Sequence, residues 1–246
     1  MIGDVCKTHG HQSLWPFGRF ARQSSNSVSP EKSGVFSSLT RELKKSVARA
    51  IFVLASWLCL ISFSPAYAAG NNSPFLVPQS SISAPAGFSG LCSKYSWVCA
   101  STGQARISDG ALLRLAKDIN DKVNRQTPTI EDRVQYGRDE HWALPTARGG
   151  DCEDFVLLKK KTLIEHGVPS SNLLIATVLD RRLQSHAVLV LRTSKGDLVL
   201  DNLNKKIRPW KKTGYTFLKL QNPASLGTWH AVLAGGVINE SPTASK

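Results

Sequence analysis

Apolar and polar positions alternate along this chain with two different periods, and the change of period divides it into a helical part followed by a strand-rich part. From Ser108-Asp109, the residues Leu112, Leu115, Ala116, Ile119 and Val123 recur at helical spacing. Ser108 is a good N-cap, and Asn124 with Thr127-Pro128 closes the pattern. A second helix follows Gly149-Gly150, with Phe155, Leu158, Thr162 and Leu163 on its stripe and Leu157 and Ile164 widening it. His166-Gly167 and Pro169 stop it, and His166 reads as a C-terminal cap. A helix apolar over so much of its circumference is expected at the centre of a fold, against a sheet. The residues between the two helices, 125–148, are polar and irregular, and a loop of that length is often functional.

Strand patterns then take over at residues 173–179, 187–192 and 198–201, the last two joined by the turn signal Thr193-Ser194-Lys195-Gly196-Asp197. Pro209-Trp210, Tyr215, Phe217 and Trp229 predict further strands or an extended aromatic return across the core. His186 opens one strand of the hairpin and Asp201 closes its partner. An even loop puts them on the same face, and an odd loop separates them unless a bulge intervenes. The expectation is an even loop or a compensating bulge.

The first third of the chain reads differently. Residues 1–40 are rich in Ser, Gln and Gly without sustained periodicity, as in a disordered leader or a mis-called start. A basic flank at 41–49, an apolar run at 50–63 and Pro65-Ala66-Tyr67-Ala68-Ala69 make residues 41–68 a secretory signal peptide. The alternative is an uncleaved anchor, but the run is shorter than the ~20 residues that span a bilayer. Export to the periplasm follows, with residues 69–90 a linker, 91–235 the folded domain and 236–246 a disordered tail.

The chain is 41% hydrophobic and 20% charged, a globular balance, with a net charge of +13. Residues 1–68 hold 8 of the 31 Lys and Arg and 3 of the 18 Asp and Glu, so the remainder carries +8. That excess is spread out, and neither zinc-finger spacing nor a basic helix of nucleic-acid type accompanies it. No nucleic-acid partner is expected.

Cys6 and Cys59 go with the leader, leaving Cys92, Cys99 and Cys152. Cys92 and Cys99 close a short loop suited to a disulfide in an oxidising compartment, and Cys152 is the odd one. It stands between acids in Gly150-Asp151-Cys152-Glu153-Asp154, at a helix start where the dipole favours a thiolate. The plainer reading is a buried structural cysteine, which rarely has three acidic neighbours. A nucleophilic thiol needs an imidazole to take its proton and an acceptor to orient that ring. His186 and Asp201 are the candidates, because His9 and His11 lie in the leader and His141 and His230 in loop-like contexts.

Several blocks in order resemble the bacterial transglutaminase-like cysteine peptidases, which include the periplasmic LapG-type proteases that clip large biofilm adhesins. They are Tyr136-Gly137, Trp142, Pro145, Gly150-Asp151-Cys152-Glu153-Asp154, Lys159, Gly167-Val168-Pro169, His186-Ala187-Val188-Leu189 and Val199-Leu200-Asp201-Asn202-Leu203. The resemblance covers roughly residues 88–232. It implies an α+β papain/transglutaminase-like core, with a central helix whose N-terminal cysteine packs on an antiparallel sheet carrying His and Asp. It also implies Cys152 as nucleophile, His186 as base and Asp201 as orienter, acting on a protein substrate such as a surface adhesin. A calcium ion held by Asp151 and Glu153, and an inner-membrane regulatory receptor, are implied in the same way. Asp154 can belong to either acidic set, and the acids can instead simply complement the helix dipole. Acyl transfer to an amine shares the same acyl-enzyme, and a non-catalytic binding module is the reading from a different class.

Overall fold

The computed structural model describes residues 73–102 and 107–239. The leader, the signal peptide and its cysteines and histidines, and the end of the tail lie outside the described residues.

One antiparallel sheet of seven strands carries the fold, in the order β1-β7-β6-β2-β3-β4-β5. Its strands are β1 (Ser81–Ile82), β2 (Leu173–Leu179), β3 (Ser185–Thr193), β4 (Gly196–Leu200), β5 (Arg208–Pro209), β6 (Thr216–Asn222) and β7 (Ser225–Ala234). β2 and β3 lie at its centre and are buried along most of their length. Both faces of β3 are apolar, which is why its sequence reads as a run without alternation. Ala187, Leu189 and Leu191 join the core beneath the helices, while Val188 and Val190 join a second core on the opposite face with Trp210 and Phe217.

The helices are α1 (Leu91–Lys94), α2 (Ser96–Cys99), α3 (Asp109–Gln126), α4 (Asp132–Tyr136), α5 (Cys152–Glu165) and α6 (Gly236–Asn239). α3 begins where its cap requires, with the Ser108 hydroxyl accepting from Ala111 N. Its Leu112, Ala116, Ile119 and Val123 are buried, as the stripe predicts. α5 is the central helix, packed against both β3 and α3, with Leu157 and Leu163 fully buried. It ends at His166, whose Nδ1 lies 2.7 Å from Thr162 O, a cap and not a reactive group.

Three expectations change. The stretch 125–148 is not wholly irregular, because Asp132–Tyr136 forms α4, closed by Gly137 in the left-handed region at φ 67°. The linker reading fails over residues 74–90, which pack onto the domain. Leu76 and Phe88 are buried, and β1 pairs with β7. Buried Asp197 stitches that stretch down, accepting from Leu76 N at 2.8 Å while Arg192 holds the same carboxylate. Finally, the short helix α6 occupies Gly236–Asn239, inside the expected tail. Cys92 and Cys99 form the expected disulfide, tying α1 to α2.

Candidate active site

The two glycines before Cys152 stand where a Cβ would be crowded, by backbone at Gly149 and by the Asp154 side chain at Gly150. Gly149 has φ 116°, and a Cβ on it would lie 2.1 Å from Pro128 O. A Cβ on Gly150 would meet Asp154 Oδ2 at 2.4 Å. Gly150 N donates to Pro128 O and Ile130 N to Gly150 O, so the 128–130 segment clamps the approach to α5. Asp151 is the N-cap residue and Cys152 the first helical residue, as the sequence predicts.

Cys152 is buried with its Sγ 3.1 Å from Ala187 N, which donates to it, and 3.5 Å from Glu153 Oε2. Ala187 follows His186 on β3, so the helix N-terminus and the strand entry meet at the cysteine. The β3–β4 turn is the two-residue loop Ser194-Lys195, since Thr193 pairs with Gly196. The even loop therefore holds. The register ends at Leu189↔Leu200, and one step further sets Asp201 level with Val188, on the same face as His186.

His186 Nε2 is 2.9 Å from Asp201 Oδ1, both residues nearly inaccessible at 4% and 3% exposure. Asp201 is surrounded by donors. Tyr215 Oη donates to Oδ2 at 2.6 Å, Leu203 N to Oδ1 at 2.9 Å, and Asn204 Nδ2 to Oδ2 at 3.4 Å. Burial pushes the Asp201 pKa up, but His186 and these donors outweigh it and leave the group at about 2. An ionised Asp201 accepts, so His186 Nε2 carries its hydrogen and Nδ1 is left to exchange a proton. Tyr215, driven well above its ordinary value by burial and by Asp201, remains a neutral donor.

Beside the cysteine is a set of buried acids. Asp132, Asp151 and Glu153 each bring a carboxylate oxygen within 4.8 Å of the other two. Burial raises Asp132, raises Asp151 to about 7 and raises Glu153 well above the usual carboxylate range, with the Asp151 charge adding to the effect on Glu153. Asp151 Oδ1 is buried without a hydrogen bond among the described residues. Three hard oxygens this close, on a set that also holds a buried carboxylate oxygen in need of a partner, fit a divalent cation of the calcium type. Asp132 Oδ2 also accepts from His141 N, which ties α4 to the following loop. Asp154 serves differently. Its Oδ1 accepts from Ala143 N at 2.9 Å, pinning the 140s loop to α5, and burial raises it to about 8.

Of the sequence-derived residues, His186 and Asp201 meet side chain to side chain, Cys152 lies against the backbone of the next residue, Ala187, and Asp151 and Glu153 come together beside it. Sequence reading did not reach Asp132, Tyr215 or Asn204. Asp132 looks like an ordinary first-turn acid of a short helix, and Tyr215 like one more core aromatic. Neither carries a spacing signal towards the site.

A cysteine at a central helix N-terminus, against a strand of an antiparallel sheet that also carries one member of a His–Asp pair, is the arrangement of a transglutaminase-like core. The family model described as bacterial transglutaminase-like cysteine proteinase, BTLCP, matches residues 79–236, and the chain belongs to that family. Among solved structures it is similar to calcium-bound LapG of Legionella pneumophila, 24% identical with a TM-score of 0.44 over 56% of this chain and 77% of that one. It is also similar to LapG of the same organism at 28% identity and a TM-score of 0.41, covering 47% of this chain and 67% of that one. No curated protein matches.

Proposed function

We propose that this protein is an exported cysteine endopeptidase in which Cys152 attacks a peptide carbonyl, His186 moves the proton and Asp201 orients His186. The observation that carries this reading is the buried His186–Asp201 pair, with His186 on the strand whose next residue, Ala187, donates to Cys152 Sγ. The thiolate adds to the scissile carbonyl, and the tetrahedral adduct collapses to a thioester as His186 Nδ1 protonates the departing amine. Water, deprotonated by the same nitrogen, then cleaves the thioester and returns the thiol. Asp201 stays ionised throughout, holding the ring and stabilising its cationic form.

Asp132, Asp151 and Glu153 would hold a calcium ion. When bound, it neutralises carboxylates whose charge would otherwise raise the pKa of the neighbouring thiol, and it fixes the turn into α5. A periplasmic location is supported by the signal-peptide pattern of residues 41–68 and by the Cys92–Cys99 disulfide. The substrate is then a periplasmic or surface protein, with a large adhesin and an inner-membrane regulatory receptor as the partners that the resemblance to LapG-type proteases implies.

Iodoacetamide labelling followed by peptide mapping tests the chemistry. Labelling of Cys152 at pH 6 that is fast in the wild type and lost in His186→Ala supports the reading. Slow labelling in both would remove it.

A further inference from the structure

The end of the sheet at which His186 enters is strongly basic. β2 ends there, with Leu179 paired to Ser185 on one side and to Thr216 on the other. A cavity of about 450 Å³ opens at this end, between the β2–β3 turn, the segment 211–216 and the start of α6. Its charged lining is Arg181, Lys211 and Lys212 against one acid, Asp180. Asp180 is already engaged, because its Oδ1 accepts from Arg182 N at 2.7 Å and from Gln184 N at 2.9 Å and so sets the turn. Lys206 and Arg208 line a smaller hollow that Asp201 and Tyr215 also line.

Arg181 is held in place although it is exposed. Its Nε donates to Thr213 O at 2.9 Å, and the side chain crosses Gly214, where an added Cβ would come within 3.0 Å of Nε. The terminal nitrogens bond no described residue. A guanidinium fixed in this way presents a fork that a carboxylate can take with two parallel hydrogen bonds. The rim adds apolar contact. Leu183 is 57% exposed in the left-handed region, at φ 61°, and Val237 is 48% exposed. A leucine held outward in an uncommon backbone conformation, beside that fork, marks a contact surface.

We propose that this cavity is an exosite for an acidic segment of the substrate polypeptide, in which a Glu or Asp side chain pairs with Arg181 near Lys211 and Lys212, and a neighbouring apolar side chain packs on Leu183 and Val237. The inference rests on the proposed endopeptidase reading and names the substrate's chemistry at a distance from the bond cleaved. A recessed cavity with one fixed fork fits a side chain of a polypeptide, as acidic motifs are met elsewhere by arginine clusters. A bilayer would instead be met by protruding groups.

The test compares the wild type with Arg181→Gln and with Lys195→Gln, which removes the same charge from the β3–β4 turn at the other end of the sheet. Fluorescence anisotropy reads the binding of a fluorescein-labelled Gly-Ser peptide carrying a Glu-Leu-Glu block. Arg181→Gln is expected to weaken binding about tenfold, as loss of a charged hydrogen bond entails. Lys195→Gln is expected to leave it unchanged, and the same peptide with Gln for Glu should not bind. Iodoacetamide should alkylate Cys152 of Arg181→Gln at the wild-type rate, because the cavity holds no reacting atom. In cells, N-termini that depend on Cys152 should become scarcer with Arg181→Gln. Equal weakening by the two variants, equal binding of the Gln peptide, or undiminished N-termini would each overturn the inference. So would Arg181-dependent binding to phosphatidylglycerol vesicles without binding of the acidic peptide, which would make the surface a membrane contact. If Arg181→Gln does not fold, Lys212→Gln carries the same comparison. Slow alkylation of Cys152 in the wild type would remove the catalytic reading itself, whereas fast alkylation with no peptide binding removes this inference alone.

Discussion

Asp201 Oδ1 lies 2.9 Å from His186 Nε2, and Tyr215 Oη lies 2.6 Å from the other oxygen of the same carboxylate. The aspartate is thus held at both ends, and its hydrogen bonds leave one orientation for the imidazole. Asp201→Asn is expected to lower kcat by on the order of 10³-fold, because an amide there favours the wrong tautomer. Tyr215→Phe keeps the ring packing but removes a charged hydrogen bond. It is expected to cost about 1.5–3 kcal/mol of stability. Chemical denaturation and substrate turnover on the two variants separate orientation from stability.

The Asp201 pKa also fixes a pH effect. Its folded value, about 2, is below the ordinary 3.8, so it contributes stability that is present above 3.8 and lost as pH falls through 2. The difference amounts to about 2 kcal/mol. Asp201→Asn is therefore expected to flatten the acid limb of the stability curve, as read from urea midpoints between pH 5 and pH 2.

The acids at Cys152 behave in the opposite sense. Asp132, Asp151, Glu153 and Asp154 all have raised folded values, with Asp151 at about 7 and Asp154 at about 8. Their contribution is fully present below the ordinary carboxylate range and lost as pH rises through 7 to 8. In chelator, the melting temperature is expected to fall on the order of 10 °C between pH 5 and pH 8. Added calcium should remove much of that fall, and Asp132→Asn should weaken the calcium effect. Differential scanning fluorimetry in EGTA and in calcium reads both.

Gly149→Ala is expected to be among the most damaging small substitutions in the domain. The new Cβ would sit 2.1 Å from Pro128 O at a φ of 116°, and a backbone oxygen cannot swing aside. The cost expected is about 3 kcal/mol or more, with loss of the turn that delivers Cys152. Gly90→Ala serves as a comparison. Its φ of 78° is also left-handed, but nothing lies within 4 Å of the added atom, so only the backbone term remains, about 1 kcal/mol. Thermal melts of the two variants separate these contributions.

Replacing Cys92 and Cys99 by serine opens a loop with a sequence separation of 7. Loop-closure entropy puts the cost at about 2.5 kcal/mol. The disulfide lies on α1 and α2, so the expected loss is in melting temperature, by about 5–10 °C, with iodoacetamide labelling of Cys152 retained.

Much of this arrangement was legible in the sequence because its signals are local. Ser108 as a cap, the stripe from Leu112 to Val123 and the stop at His166-Gly167 each depend on neighbours within a turn or two. The His186–Asp201 relation was nearly as accessible, since hairpin parity converts a two-residue loop into a shared face. What stayed hidden depends on distant chain segments meeting. Asp132 joins Asp151 and Glu153 only because residues 128–130 bond to Gly150, and nothing in the spacing announces that. Tyr215 reaches Asp201 from beyond the β5 strand, and the packing of Leu76 depends on Asp197, far along the chain. The short Pro- and Ser-rich stretch before Leu91 has the composition of a linker; buried Leu76 and Phe88, together with the β1–β7 pairing, bind it to the domain.

The central claim is that Cys152 is the nucleophile of an endopeptidase acting outside the cytosol. Its most direct test is to compare exported and surface proteins from cells carrying the wild type and the Cys152→Ala variant, at matched expression, by mass spectrometry of their N-termini. The expected result is one or a few new N-termini present only with the wild type. The same set of N-termini in both strains would contradict it.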